Sequence, residues 1–248
     1  MHFEINPKYQ QLSNLVENIE EHCKSSIKTL YDQRNLIRLI NYDGYQYVVK
    51  SFKVPNLVNQ IAYRHFRESK AKRSYNYSLL IGSELTPEPI AYIENLNHFL
   101  LKESYYISSY FDYDHTIHEV LVDKALTGRK TILEEFANFT FQLHEKEILH
   151  HDYSHGNILI KQSEQGDKNS YDFKIIDINR MEFKPLDLAA RLNNFARINA
   201  DDGDLAIITH QYAKLIDANP EVAFEKAKFY RDDFYKKRAI KNKLRGKA

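Results

Sequence analysis

Three oxygen-bearing side chains fall close together late in the chain: Asp152 in His150-His151-Asp152, Asn157 five residues on, and Asp177 closing the run Phe173-Lys174-Ile175-Ile176. Phosphoryl transfer from a nucleoside triphosphate needs a carboxylate to hold the acceptor hydroxyl. It also needs an amide oxygen and a second carboxylate to hold magnesium between the phosphates. Asp152, Asn157 and Asp177 offer these groups in that chain order, so the region reads as a phosphotransferase active site. Any one part is weak evidence, since a lone Asp in a loop is more often a turn former; the combination is specific. His151 and His155 beside Asp152 also invite a metal-site reading, but no fourth ligand stands at metal spacing. His150 is expected to hold the loop backbone near Asp177 rather than to act as a base, and His144 to be packed.

These residues must be positioned by elements the pattern makes visible. Residues Lys8 to Cys23 carry helical apolar spacing, and Cys23 itself reads as core filling. Ile27–Tyr31, Leu36–Ile40 and Tyr45–Phe52 follow as strands, the last two joined by an Asn-Tyr-Asp-Gly turn in which Asp43-Gly44 is a hairpin signal. A polar helical segment, Asn56 to Ile81, stops before Thr86-Pro87-Glu88-Pro89, and Ile90–Glu94 and Phe99–Phe111 read as two more strands. Beyond Thr131, Ile132, Leu133, Phe136, Phe139, Thr140 and Leu143 lie on one helix face that leads into the His150 loop. Ile158–Ile160 and Phe173–Ile176 form a strand pair around a polar stretch, Lys161 to Asp172, expected to be an exposed loop. After Asp177 the chain reads as mostly helical.

Composition bounds the class. With 248 residues and 43% hydrophobic content the chain can bury a full core. A single cysteine excludes an internal disulfide framework and fits a reducing compartment. No apolar run is long enough to span a bilayer and no secretory leader is visible at Met1-His2-Phe3, so the expectation is cytoplasmic, at most peripheral at a membrane. Charges nearly cancel, 35 basic against 34 acidic, yet Lys236, Lys237, Arg238, Lys241, Lys243, Arg245 and Lys247 form a run without an acid. That tail is either an attractor for an anionic surface or a solvated helix end. With the rest of the chain net acidic, nucleic acid is not an expected partner, and no obligate protein partner is expected.

The set Val48-Val49-Lys50, Thr86-Pro87-Glu88-Pro89-Ile90, Leu143-His144, His150-His151-Asp152 and Ile176-Asp177 resembles the protein-kinase-like fold, and within it the lipopolysaccharide core kinases that phosphorylate Kdo or heptose sugars. The resemblance runs from about Ile27 to Arg197. It implies a bilobal α+β fold: a small lobe, residues 1–111, with a five-stranded antiparallel sheet plus one helix, and a mainly helical lobe, residues 112–248. It implies ATP and Mg2+ as cofactors. Lys50 would meet the α and β phosphates, Asp152 the acceptor hydroxyl, and Asn157 and Asp177 the metal, with His150 supporting the nucleotide site. Glu68 is the candidate for the helix acid that pairs with Lys50, although Ser74 falls nearer the position where related sequences carry it.

Departures refine the reading. The turn Asp32-Gln33-Arg34-Asn35 has no glycine where many kinases have a glycine-rich phosphate loop. Ile178-Asn179-Arg180 comes after Asp177 in place of Phe-Gly, and Asn179 can tolerate a left-handed backbone in place of the glycine. Few residues separate Asp177 from Asp187, so a long peptide platform is absent and the resemblance implies a lipid-linked sugar as acceptor at an anionic membrane. Two alternatives stand beside it. One is a small-molecule kinase of the aminoglycoside or choline type, with Asp201-Asp202-Gly203-Asp204 as an acidic lining or merely a helix cap. The other is a non-catalytic module of the same fold.

Overall fold

The computed structural model describes residues 1–32, 35–54, 68–97, 100–165 and 168–246. The chain divides into two compact units, Met1–Phe111 and Asp112–Ala248.

The first unit is built on an antiparallel sheet of six strands. They are β1 (His2–Ile5), β2 (Lys28–Asp32), β3 (Asn35–Tyr42), β4 (Tyr45–Phe52), β5 (Pro89–Asn97) and β6 (Leu100–Ser109), in the order β1-β5-β6-β4-β3-β2. The sheet therefore has one strand more than the five expected: the four residues of β1 pair along β5 from His2 opposite Glu94 to Ile5 opposite Ala91. The turn between β3 and β4 is made by Asp43 and Gly44 at φ 50° and 81°, the paired left-handed geometry that suits strand twist. Gln33 and Arg34 of the predicted glycine-free turn lie outside the described residues.

Period-two alternation gives the sheet two buried faces. Tyr47 and Val49 of β4, with Ile93 and Ile107, face Leu12, Leu15, Val16, Ile19 and Cys23. Those residues come from a 3-10 turn (Pro7–Leu12) and two short helices, α1 (Ser13–Glu17) and α2 (Ile19–Lys24), where helical spacing alone suggests one continuous helix. Asn18, at φ −109°, breaks it. On the opposite face Phe52, Tyr92 and Tyr106 pack with Ala71 and Tyr75 of α3 (Lys70–Ile81). Ser69 caps α3 by accepting from the Lys72 amide, and Gly82, at φ 93°, ends it. The predicted first part of this helix, residues 56–67, lies outside the described residues.

The second unit is mainly helical. It comprises β7 (His115–Thr116), α4 (Ile117–Val122), α5 (Arg129–Glu145), β8 (Ile148–His150), β9 (Ile158–Gln165), β10 (Lys168–Ile175), β11 (Met181–Phe183), α6 (Leu188–Asn194), α7 (Asp202–Leu215) and α8 (Pro220–Leu244). α5 buries the predicted face: Ile132, Leu133, Phe136, Phe139, Thr140 and Leu143 are all inaccessible. The stretch expected as a polar loop is instead the body of a hairpin, with β9 and β10 paired from Ile158 opposite Ile175 to Gln165 opposite Lys168. Its outer part needs no apolar face, because backbone pairing is supplemented by polar contacts such as the Ser163–Ser170 hydroxyl pair at 2.6 Å. A further strand, β11, which the helical reading of the region after Asp177 did not anticipate, pairs antiparallel with β8. The acidic run is a helix cap: Asp201 accepts from the Asp204 amide at the start of α7.

Candidate active site

Two ladders fix the loop that carries Asp152. β8 ends at His150, opposite Met181 of β11, and β9 begins directly after Asn157. Between them the chain makes a tight turn, in which the Ser154 amide donates to the Asp152 carbonyl at 2.8 Å and the Asn157 amide to the Ser154 carbonyl at 2.9 Å. Tyr153 anchors it from below. The ring is fully buried, lies 5.9 Å from Phe136 of α5, and its hydroxyl pairs with Thr140 at 2.7 Å.

Asn157 is oriented at both ends. Its Nδ2 donates to the Asp152 carbonyl at 3.0 Å, and its own carbonyl accepts the Ile176 amide at 2.9 Å. The side-chain amide nitrogen is thus committed, and Oδ1 is the atom left to act. The Ile176 bond extends the β9–β10 ladder by one step, so Asp177 comes immediately after the point where Asn157 is held. Asp177 adopts φ 57°, the left-handed region that Asp and Asn enter more readily than other non-glycine residues. Sequence reasoning assigned that conformation to Asn179; the structure places it at Asp177, and Asn179 serves by donating Nδ2 to Asp177 Oδ1 at 2.5 Å.

His150 ties the two pieces together. Its Nδ1 accepts the Asp152 amide at 2.9 Å, which puts the proton on Nε2, facing the Ile176 carbonyl at 3.3 Å. Burial pushes its pKa down to about 4, against smaller opposing effects of the Ile176 carbonyl and of Asp177 and Asp152. A neutral imidazole suits both bonds. His144 is likewise buried and neutral, its pKa lowered to about 3 by burial, between Tyr212 and Asn194.

The other two histidines do not converge. His151 Nε2 reaches Glu182 at 3.1 Å, whereas His155 stacks on His118 with ring centroids 4.4 Å apart. Among the described residues no group of three or more His, Cys, Asp or Glu side chains could hold a metal ion. The oxygen pair of Asn157 and Asp177 is a different donor set. Magnesium is commonly held by one or two protein oxygens together with substrate phosphates and water, so these residues fit it and would hold it against a triphosphate.

Two residues that sequence reasoning passed over contact Asp152. Arg197 donates from Nη1 to Oδ1 at 2.8 Å, and Arg180 Nη1 stands 3.6 Å from Oδ2. Arg180 is close enough to Asp177 in the chain to have been suspected from its position; Arg197 lies in a helical stretch, 45 residues from its partner, and nothing local marks it.

Lys50 and Glu68 belong to the first unit. Lys50 stands opposite Tyr106 on the sheet face that carries α3, and it is buried, with Nζ 5.4 Å from the Phe52 ring centroid. Glu68 does not meet it. The residue precedes the Ser69 cap, is exposed, and reaches Asn76 at 3.1 Å and Lys72 at 3.6 Å. The helix Lys70–Ile81 contains no acid, and Ser74, at the alternative position, is buried and donates to its own helix at Lys70. The expected pairing of Glu68 with Lys50 is therefore corrected: a capping serine sets Glu68 outside the helix.

No family model and no curated protein sequence matches the chain. Among solved structures, WaaP in complex with acyl carrier protein is similar over 96% of this chain and 98% of that chain, with a TM-score of 0.60 and 14% sequence identity. The Rio2 kinase-ADP/Mg2+-phosphoaspartate complex from Chaetomium thermophilum is matched at TM-score 0.49 and 14% identity, over 88% of this chain and 67% of that one. The PknI kinase domain of Mycobacterium tuberculosis gives 0.41 and 13%, over 79% and 74%. The first likeness spans nearly the whole of both chains, and with the antiparallel sheet unit and the mainly helical unit described above the chain has the α+β protein-kinase-like fold.

Proposed function

We propose that this chain is an ATP- and magnesium-dependent kinase that phosphorylates a sugar hydroxyl, on Kdo or heptose of the lipopolysaccharide inner core, at the inner face of the cytoplasmic membrane. The observation that carries the reading is the commitment of Asn157 Nδ2 to the Asp152 carbonyl. It leaves one amide oxygen for a metal where the strand pair delivers Asp177. Magnesium would supply charge neutralisation between the phosphates. Lys50 is assigned to the α and β phosphates and Asp152 to the acceptor hydroxyl. In the transfer the acceptor oxygen bonds to the γ phosphorus, the bond to the β–γ bridging oxygen breaks with its electron pair leaving on ADP, and Asp152 takes the proton. Positioning and charge stabilisation provide most of the effect in such a reaction.

The acceptor class rests on the short segment beyond Asp177. The chain is in β11 by Met181 and in α6 by Leu188, with Asp187 accepting from the Ala190 amide as its cap. So short a segment offers no platform for an extended peptide and suits a compact acceptor. The membrane part rests on α8, whose last turns expose Lys236, Lys237, Arg238, Lys241 and Lys243 alongside Ile240 and Leu244. Among the described residues no helix is long and apolar enough to cross a membrane, so contact through this basic end would be peripheral.

The amine-kinase alternative loses its acidic lining. Asp201 and Asp204 are paired with Lys124, Asp204 also with Arg129, and Asp202 with Lys228 and Arg231. Phosphate transfer measured to Kdo-lipid A, a heptosylated acceptor and a panel of aminoglycosides and choline separates the readings. Labelling of a core sugar is the expected outcome; labelling confined to the amines would refute the sugar assignment.

A further inference from the structure

Asp152 has a guanidinium group at each of its carboxylate oxygens. Arg197 gives it one hydrogen bond at 2.8 Å and Arg180 an ion-pair contact at 3.6 Å. The guanidinium bonded to Oδ1 competes there with an acceptor hydroxyl, while Oδ2 has Arg180 only at ion-pair distance. Arg197 itself is far from saturated. A guanidinium has five N–H donors, and the bond to Asp152 is the one hydrogen bond this residue makes among the described residues. Its plane is steadied by the Phe234 ring, 4.9 Å from Cζ, a stacking that fixes the fork without consuming donors. Both arginines are partly exposed, at 39% and 57% of the side chain.

Beside Arg197 the structure has a cavity of about 230 Å³, lined by His150, His151, Asn193, Asn194, Arg197 and Phe234 among others. It is large enough for part of a sugar and lies wholly within the second unit. Among the described residues of its wall the fixed cation is Arg197, backed by Phe234, with Asn193 and Asn194 as neutral hydrogen-bonding groups.

We propose that Arg197, assisted by Arg180, is the seat for an anionic group of the acceptor, and that its ion pair with Asp152 is a latch which the acceptor's own carboxylate or phosphate opens. The inference rests on the kinase reading for the role of Asp152. An acceptor carrying both a hydroxyl and an anionic group can take the free donors of Arg197 in a bidentate pair and release Asp152 to the hydroxyl. Water and neutral alcohols cannot, so the latch suppresses idle hydrolysis of ATP. Cationic acceptors are disfavoured by two guanidinium groups at the base. The substrate class is thereby narrowed to anionic sugars.

Equilibrium binding and turnover test it separately. Free Kdo, its neutral carboxamide and inorganic phosphate are titrated by calorimetry into the full chain, into Arg197→Gln and into Arg197→Lys. Thermal unfolding of each variant confirms that it is folded. The expected result is that the wild type prefers Kdo to the carboxamide by about tenfold or more, the gain typical of a bidentate charge-assisted pair. The preference vanishes in Arg197→Gln and survives in weakened form in Arg197→Lys. Binding of inorganic phosphate as well marks a general anion seat, and binding of Kdo alone marks a carboxylate seat; both sustain the proposal. Equal affinity for Kdo and carboxamide, no binding of either anion, or a preference unchanged by Arg197→Gln overturns it. In turnover, Arg197→Gln raises acceptor-free ATP hydrolysis severalfold and raises KM for an anionic acceptor, while turnover of a neutral acceptor is unchanged or improved; a uniform fall with both acceptors would make Arg197 merely structural. A wild type that turns over no acceptor at all counts against the kinase reading, while the binding arm still judges Arg197.

Discussion

His150 shows how much of this site is held by a side chain that performs no chemistry. One ring joins the amide of Asp152 to the carbonyl before Asp177, so the two acids share a rigid support. That support is pH-sensitive in a predictable direction. The folded state holds His150 neutral, with its pKa lowered to about 4 by burial, while the unfolded chain titrates near 6.5. The resulting stability is complete above about pH 6.5 and is lost as the pH falls toward 4, where protons bind the unfolded chain first. Its size is at most roughly 3.5 kcal/mol for a shift from 6.5 to about 4. Urea denaturation followed from pH 7.5 to 4.5 should show stability declining through this window, and His150→Gln should flatten part of the decline. A wild type equally stable across the range would contradict a buried neutral imidazole. Replacing Asn157 by Ala should raise the magnesium concentration needed for half-maximal turnover by about tenfold or more, read from a magnesium titration at fixed ATP.

The turn that carries Asp152 depends on α5 as much as on its own residues. Tyr153 is stacked against Phe136, and Phe139 of the same helix lies 5.5 Å from Phe173 of β10. One helix face therefore supports both the Asp152 turn and the strand leading to Asp177. Tyr153→Phe removes one buried hydroxyl bond, while Thr140 keeps its bond to the Phe136 carbonyl. The expected cost is about 1 kcal/mol of stability with turnover nearly intact. Tyr153→Ala also opens a cavity, at about 3–5 kcal/mol, and should lower turnover as the turn loses its floor. Denaturation midpoints and kcat measured for the two variants check this. Elements of this kind are legible in sequence when their signals are local. The face from Ile132 to Leu143 and the Asp43-Gly44 turn are read from spacing and turn chemistry alone, while the triplet Asp152, Asn157 and Asp177 stands out by residue type and chain order. Contacts made at a distance are not. β1 is four residues at a sheet edge, paired with a strand far along the chain. The outer hairpin of β9 and β10 is polar, so its backbone pairing leaves no hydrophobic trace. Arg197 finds Asp152 only through the tertiary fold, and Glu68 loses its assigned partner because Ser69 takes the cap.

Charge distribution along the chain gives the molecule a direction. The middle of α8 is held by ion pairs, with Lys228 and Arg231 on Asp202, and the helix ends in a basic segment in which Ile240 and Leu244 are also exposed. Basic residues near an anionic leaflet contribute roughly 1 kcal/mol each, and salt screens them. Vesicles containing anionic phospholipid should therefore retain the chain at low salt and release it at high salt. Exchanging Lys236, Lys237, Arg238, Lys241 and Lys243 for Gln should weaken retention by at least about a hundredfold without altering turnover on a soluble acceptor. Undiminished retention would locate membrane contact elsewhere. The assignment of Asp152 and Asp177 is tested most directly by phosphate transfer from γ-labelled ATP to Kdo-lipid A, measured for the wild type, Asp152→Asn and Asp177→Asn. Magnesium-dependent labelling by the wild type is expected, with a loss of roughly 10²–10⁴ in Asp152→Asn at unchanged ATP affinity. Asp177→Asn should lose the magnesium response. Labelling that persists at wild-type rates in both variants would contradict the site described here.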